Sequence, residues 1–191
     1  VTHYLYGGDI ENRLRQELIL GIGGIRALDA LGLKPDVYHS NEGHSAFISL
    51  ERLRTMIEEH HLLFNQALEA VRSSTLFTTH TPVPAGHDAF EEDLLRKYIS
   101  HYSNRLNISW DELMALGRCE TDMDRKFNMS FLATRMSQEV NGVSKLHGEV
   151  SQGMFSKLWP GYLKEELFIG YVTNGVHHPT WTAPEWKEVY K

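Results

Sequence analysis

The chain has 191 residues, of which 41% are hydrophobic and 23% charged, the balance of a soluble globular protein with enough apolar material for one core. A formal net charge of -6 leaves no surplus of Lys and Arg to neutralise a phosphate backbone, which excludes nucleic acid as an expected partner. No apolar run approaches the roughly 20 residues that a membrane-spanning helix needs, and the single cysteine, Cys119, cannot form an internal disulfide.

The lone thiol fits a reducing compartment, and a cytoplasmic location is expected. The start, Val1-Thr2-His3, is neither a Met nor a signal peptide, so the chain reads as a piece of a longer protein. From Asp9, a good N-cap, to Leu31, the apolar residues Leu14, Leu18, Ile22, Ile25 and Leu28 recur every three or four positions. Gly32 follows as a C-terminal stop, so a helix with one buried face is predicted. Asp36-Val37-Tyr38-His39 reads as a buried strand, and Ile48, Leu53, Met56 and Ile57 mark a second helix. Residues 65–72 are rich in helix formers. Residues 74–79 are β-branched and aromatic, and Pro82 behind them enforces extended backbone, so a second strand ends at His80-Thr81.

Two shorter helices are predicted between residues 90 and 118, the later opening with Ser109 and Glu112 in capping-box spacing. From Asn128 to Phe155 a long helical pattern is interrupted at Asn141-Gly142. Residues 168–172 form a third strand candidate, closed by Thr173-Asn174-Gly175. There is no repeat or linker to argue for two domains. Helices alternating with short apolar strands predict an α/β, Rossmann-like layered domain with a mainly parallel sheet, whose ligands bind beyond the carboxyl ends of the strands.

All three strand candidates end in polar turns that carry histidine: His39-Ser40-Asn41-Glu42-Gly43-His44, then residues 79–88, then Thr173-Asn174-Gly175-Val176-His177-His178. In a parallel sheet these turns converge on one edge, offering amide, imidazole and carboxylate groups in the mixture that orients sugar hydroxyls. Polar turns also simply end strands, so one turn alone says little. Despite eleven histidines, no metal site is expected, because neither HExxH spacing nor a Cys/His cluster exists. Gly21-Ile22-Gly23-Gly24 sits inside the first helical pattern rather than between a strand and a helix, which favours close helix packing over a dinucleotide site. Glu42 and Asp88 are the acids within the three turns, and as a pair they keep a glycoside hydrolase open as an alternative. A non-catalytic carbohydrate-binding module is another.

Four motifs then occur in one order: Asn41-Glu42-Gly43-His44, Thr79-His80-Thr81, the run from Asn141-Gly142-Val143 to His147, and Thr173-Asn174-Gly175. This order resembles the N-terminal domain of the α-glucan phosphorylases, the glycogen/maltodextrin phosphorylase family. Leu5-Tyr6-Gly7-Gly8-Asp9 and Arg13-Leu14-Arg15-Gln16-Glu17 look like that family's preceding loop and helix. The wording around Ser45-Ala46-Phe47 and Pro82 to His87 is similar to the shorter bacterial and archaeal branch, with Glu42 where animal forms have Asp and Thr79 where they have Asn.

The resemblance implies a glycosyltransferase-B fold of two Rossmann-like domains, with residues 1–191 supplying the later part of the first and the C-terminal cofactor domain absent. It implies phosphorolysis of α-1,4-glucan to glucose 1-phosphate, with inorganic phosphate as co-substrate and pyridoxal phosphate on that absent domain, so that this piece alone is inactive. His80 then matches a catalytic histidine whose imidazole bonds the glucose 6-hydroxyl and whose carbonyl lies near the anomeric carbon. Asn174 matches the asparagine at the 4- and 6-hydroxyls. Glu42 and His44 match an acid and a histidine behind the pocket, where the carboxylate would fix an imidazole tautomer. Val143 and His147 match a helix start near the sugar.

Overall fold

A computed structural model describes residues 1–3 and 8–189, so the family-like loop residues Leu5, Tyr6 and Gly7 lie outside the described residues. The first helix begins at its predicted cap: the Asp9 carboxylate accepts the Asn12 N–H at 2.8 Å. It runs as α1 (Ile10–Leu18), one π-helical turn (Ile19–Gly23) and α2 (Gly24–Ala30). Gly32, at φ +70°, stops it, with the Leu33 N–H returning to the Leu28 carbonyl. Close packing does require Gly21: a Cβ there would lie 2.6 Å from Phe47.

The first strand, β1 (Tyr38–Asn41), starts two residues later than the apolar run predicted and is mostly exposed, not buried. The reason is its place at the edge of the sheet. After it come α3 (Ile48–Glu58), α4 (Phe64–Ser73), β2 (Thr75–Thr78), β3 (Ala89–Phe90), α5 (Glu92–Leu106) and α6 (Trp110–Ala115), the last capped by the predicted Ser109/Glu112 box.

The long helical pattern over 128–155 is corrected by the structure. It divides into β4 (Phe127–Asn128), α7 (Met129–Arg135), a strand β5 (Glu139–Gly142) and α8 (Lys145–Phe155). The last strand is β6 (Ile169–Tyr171), followed by the short helices α9 (His178–Trp181) and α10 (Pro184–Lys187).

The main sheet is parallel throughout, in the order β1-β2-β5-β6, so the unpredicted β5 is the strand that joins β2 to β6. A small antiparallel pair, β3 with β4, stands apart from it. The α/β class with a mainly parallel sheet is therefore as expected. The core is aromatic: Phe155 of α8 packs on Phe77 of β2 and on Phe131 of α7, and Phe47 stacks on Phe127 with ring centroids 6.4 Å apart. Each such buried ring contributes about 2 kcal/mol of transfer free energy, which fixes the helices against the strands. Gly148 lets α8 lie on β6, since a Cβ there would meet the Gly170 carbonyl at 3.0 Å. Among the described residues, no helix is long and apolar enough to cross a membrane.

Candidate functional site

Because the four strands are parallel, their carboxyl ends share one edge, and the predicted turns meet there. At the tip of β1 the ladder continues one residue further, the Glu42 N–H donating to the Thr78 carbonyl at 2.9 Å. The chain turns at once, which puts Glu42 at φ 66°, a conformation that costs a non-glycine residue about 1–3 kcal/mol. This turn aims its carboxylate across to the end of β2. Glu42 Oε1 accepts the His80 backbone N–H at 2.5 Å and the Thr81 hydroxyl at 3.1 Å. The exposed His80 ring sits with Nε2 2.7 Å from Asn41 Oδ1. With the amide oxygen as acceptor, the ring proton resides on Nε2, and Nδ1 is left to accept from a hydroxyl. The hydrogen bonds of Glu42 thus go to the backbone and hydroxyl of the β2 turn, and Asn41 holds the His80 imidazole.

Asn141, near the end of β5, ties the sheet edge together: its Oδ1 accepts the Thr78 hydroxyl at 3.0 Å, and that hydroxyl oxygen is 2.7 Å from His39 Nε2. Beyond Gly142, the Val143 N–H donates to His147 Nδ1 at 3.2 Å, and the Val143 carbonyl accepts the Asn174 N–H at 3.1 Å. Gly142 is needed for this, since a Cβ would lie 2.7 Å from His147 Nδ1. His147 is buried, and its Nε2 has no hydrogen-bond partner among the described residues. It therefore stands behind the edge and acts on it through Val143, whereas Asn174 is exposed at the edge.

Beside the β1 and β2 tips lies an open pocket of about 490 Å³, lined by residues that include Arg13, Glu42, His44, Thr81, His87 and Asp88. His80 and Asn174 do not line it. Arg13 pairs with Asp88 at 2.7 Å and lies 3.0 Å from Glu17. Burial opposes charge on Asp88, but its bonds to Arg13 prevail and hold its pKa below the ordinary value. Glu17 is pushed up to about 9, chiefly by burial and then by its neighbour Asp88, so it is protonated at neutral pH. Burial also lowers His44, helped by the Arg13 charge, and lowers His87, whose Nδ1 is 2.7 Å from the Ser130 hydroxyl. The pocket wall thus combines imidazoles whose charged form is disfavoured, the Arg13–Asp88 ion pair and the Glu42 carboxylate.

The acid pair proposed for a hydrolase does line this pocket, but both members are engaged: Glu42 by His80 and Thr81, Asp88 by Arg13. A general acid needs a raised pKa, and that of Asp88 is lowered. Among the described residues, no three His, Cys, Asp or Glu side chains come together to hold a metal ion.

Asn41 and His87 lie in turns that the sequence singled out without giving either an individual role, whereas Arg13, Glu17 and Ser130 were not expected beside the pocket. For Arg13 and Glu17 a signal did exist, because they are spaced i,i+4 beside the inward-facing Leu14. The role of Asn41 had none, since it depends on a neighbour 39 positions away.

Known proteins share this chain's pattern. The family of carbohydrate phosphorylases matches residues 33–188. The glycogen phosphorylase of Mycobacterium tuberculosis is 46% identical over 200 residues, an alignment covering 99% of this chain and 23% of that protein. The maltodextrin phosphorylase of Thermococcus litoralis is 45% identical over 189 residues, covering 99% of this chain and 22% of its own. The glycogen phosphorylase of Aquifex aeolicus is 33% identical over 192 residues, covering 100% and 27%. The chain spans about a quarter of the length of these curated relatives. With most of its length matched and the four motifs placed along one sheet edge, the chain belongs to the carbohydrate phosphorylase family.

Proposed function

We propose that the protein containing this chain catalyses reversible phosphorolysis of α-1,4-glucans, releasing glucose 1-phosphate. Residues 1–191 are the later part of its N-terminal Rossmann-like domain, and a second domain completes a glycosyltransferase-B cleft. The observation that carries this reading is the convergence of the four family motifs on the carboxyl edge of one parallel sheet. Names of relatives support it, since several are glycogen or maltodextrin phosphorylases.

In this reading His80 is the catalytic residue of the chain. Its Nδ1, left open by the Asn41 bond, accepts the glucose 6-hydroxyl, and its carbonyl dipole favours the positive charge that develops at the anomeric carbon. Asn174 donates to and accepts from the 4- and 6-hydroxyls, as an amide is able to do. Glu42 and His44 border the sugar from the adjoining pocket, and the Val143 backbone, supported by His147, closes it from the β5 side.

The groups at this edge are amides, imidazoles and carboxylates, and no lysine is among the described residues lining the pocket. They suit hydroxyls rather than an aldehyde cofactor, so pyridoxal phosphate is assigned to the C-terminal domain. Bound there, it would supply acid–base chemistry on the phosphate side of the reaction. A cytoplasmic location accords with the single cysteine and the glucan substrate.

The test is an assay of the intact protein, supplied with pyridoxal phosphate and maltodextrin, with and without inorganic phosphate. Glucose 1-phosphate formed only when phosphate is present is the expected result, and the isolated 191-residue chain should form none. Free glucose released without phosphate would replace this reading with a hydrolase, and binding without any product would replace it with a carbohydrate-binding module.

A further inference from the structure

The geometry points to Glu42 as a positioning residue that holds the His80 peptide in its working orientation, an inference that rests on the phosphorolysis reading and deepens it. One carboxylate oxygen takes both the His80 N–H and the Thr81 hydroxyl, so it brackets the peptide carbonyl that lies between those two donors. A carboxylate makes such bonds shorter and stronger than a neutral acceptor would. The neighbouring residue, Asn41, takes the ring nitrogen of the same histidine. Two consecutive residues of one strand end thus fix the two parts of His80 that face a substrate, the imidazole and the backbone.

The backbone at Glu42 supports this assignment. A non-glycine residue held at φ 66° and ψ 165° persists only where surrounding bonds over-determine it. Here those bonds are the Glu42 N–H to the Thr78 carbonyl and the Ser45 hydroxyl back to the Glu42 carbonyl, at 2.9 and 3.1 Å. The side chain of this half-buried residue reaches across to the end of β2. With both carboxylate bonds spent on a loop, Glu42 contributes to catalysis through His80, and its loss is felt where the position of a carbonyl matters most.

The experiment uses the intact holoenzyme with Glu42→Ala and Glu42→Gln. Two readouts are taken: steady-state phosphorolysis, and deuterium uptake by peptides spanning residues 76–83. For Glu42→Ala, kcat should fall about 30-fold, as expected of a reacting group displaced by a fraction of an ångström, while KM for glucan stays within about threefold. The His80 amide should lose its protection. Glu42→Gln retains an acceptor oxygen and should restore both, to within about fivefold of wild-type kcat.

An alanine variant with wild-type kcat and an unprotected His80 amide would overturn the inference, as would a rise in KM alone. If the alanine variant does not fold, the glutamine variant decides. A protected amide with kcat lowered tenfold or more, or an unprotected amide with kcat intact, would each overturn it. Failure of the underlying reading is distinct: a wild-type protein that makes no glucose 1-phosphate removes the reaction, while the exchange data still report the bracket.

Discussion

The two ends of the parallel sheet are built on opposite terms. At the amino end, the buried Arg52 guanidinium donates to the Val71 carbonyl at 3.3 Å, to the Thr75 hydroxyl at 2.6 Å and to the Ser74 hydroxyl at 2.5 Å, and it lies 3.8 Å over the Tyr38 ring. Four elements are stapled by one side chain whose bonds all point inward. At the carboxyl end, Glu42 has a positive φ, the Thr79 hydroxyl and His147 Nε2 are buried with no hydrogen-bond partner among the described residues, and His80 and Asn174 face outward. The amino end is tied together by this one side chain, although Arg72 Nε and Ser137 Oγ near it are also buried with no hydrogen-bond partner among the described residues. What sets the carboxyl end apart is its strained backbone at Glu42 and its outward-facing His80 and Asn174, features that mark sites rather than scaffolds.

The comparison breaks most visibly if the stapled end turns out to be dispensable. Arg52→Ala removes the charged donor to the Thr75 and Ser74 hydroxyls and the contact with the Tyr38 ring, while the Val71 carbonyl keeps the Thr75 hydroxyl at 2.6 Å, and it should cost about 3 kcal/mol by chemical denaturation. A loss below about 1 kcal/mol would show that the amino end is not where stability is concentrated. The next largest effect should fall at the opposite end and on the opposite quantity. His80→Ala in the intact enzyme should lower kcat tenfold or more, with a smaller change in KM and an almost unchanged melting temperature. A KM increase alone would make His80 a ground-state binding group.

The smallest effect sharpens the contrast through pH. Glu17, beside the pocket, is raised from 4.5 to about 9 in the folded protein. The folded state therefore holds a proton that the unfolded state releases, and stability from this group is present below its unfolded pKa and falls as pH rises through about 9. Thermal melts between pH 5 and 9 should show this slope. Glu17→Gln, which mimics the protonated form, should flatten it and stabilise the protein at pH 8 by about 1 kcal/mol. An unchanged slope would place the proton elsewhere in the Arg13, Glu17 and Asp88 group.

Sequence periodicity reached the elements whose burial is local in origin. The first helix and α6 carry their caps in adjacent residues, and α3 its inward face, so Asp9, Gly32 and the Ser109/Glu112 pair could be read directly. The strand β5 could not, because Glu139-Val140-Asn141-Gly142 contains one apolar residue and follows the apolar helix α7. It is a strand because β2 and β6 flank it, a non-local cause that overrides pattern. The β1 strand was misplaced for the related reason that edge strands need little apolar content.

The site divides along the same line. That polar turns gather at one edge follows from parallel topology and was legible. That Glu42 reaches the His80 backbone, that Asn41 holds its ring, and that His147 stands behind Val143 all depend on turns meeting from distant parts of the chain. Residue identity suggested a sugar site, while the division of labour within it required coordinates.

The central claim is that the carboxyl ends of these strands surround one glucose unit. A crystal structure of the intact protein with a bound maltodextrin tests it most directly. The terminal glucose should be found within hydrogen-bonding distance of the His80 imidazole and the Asn174 amide, with its anomeric carbon facing the His80 carbonyl. Glucan bound at the Arg52 end of the sheet, or away from both His80 and Asn174, would contradict the account.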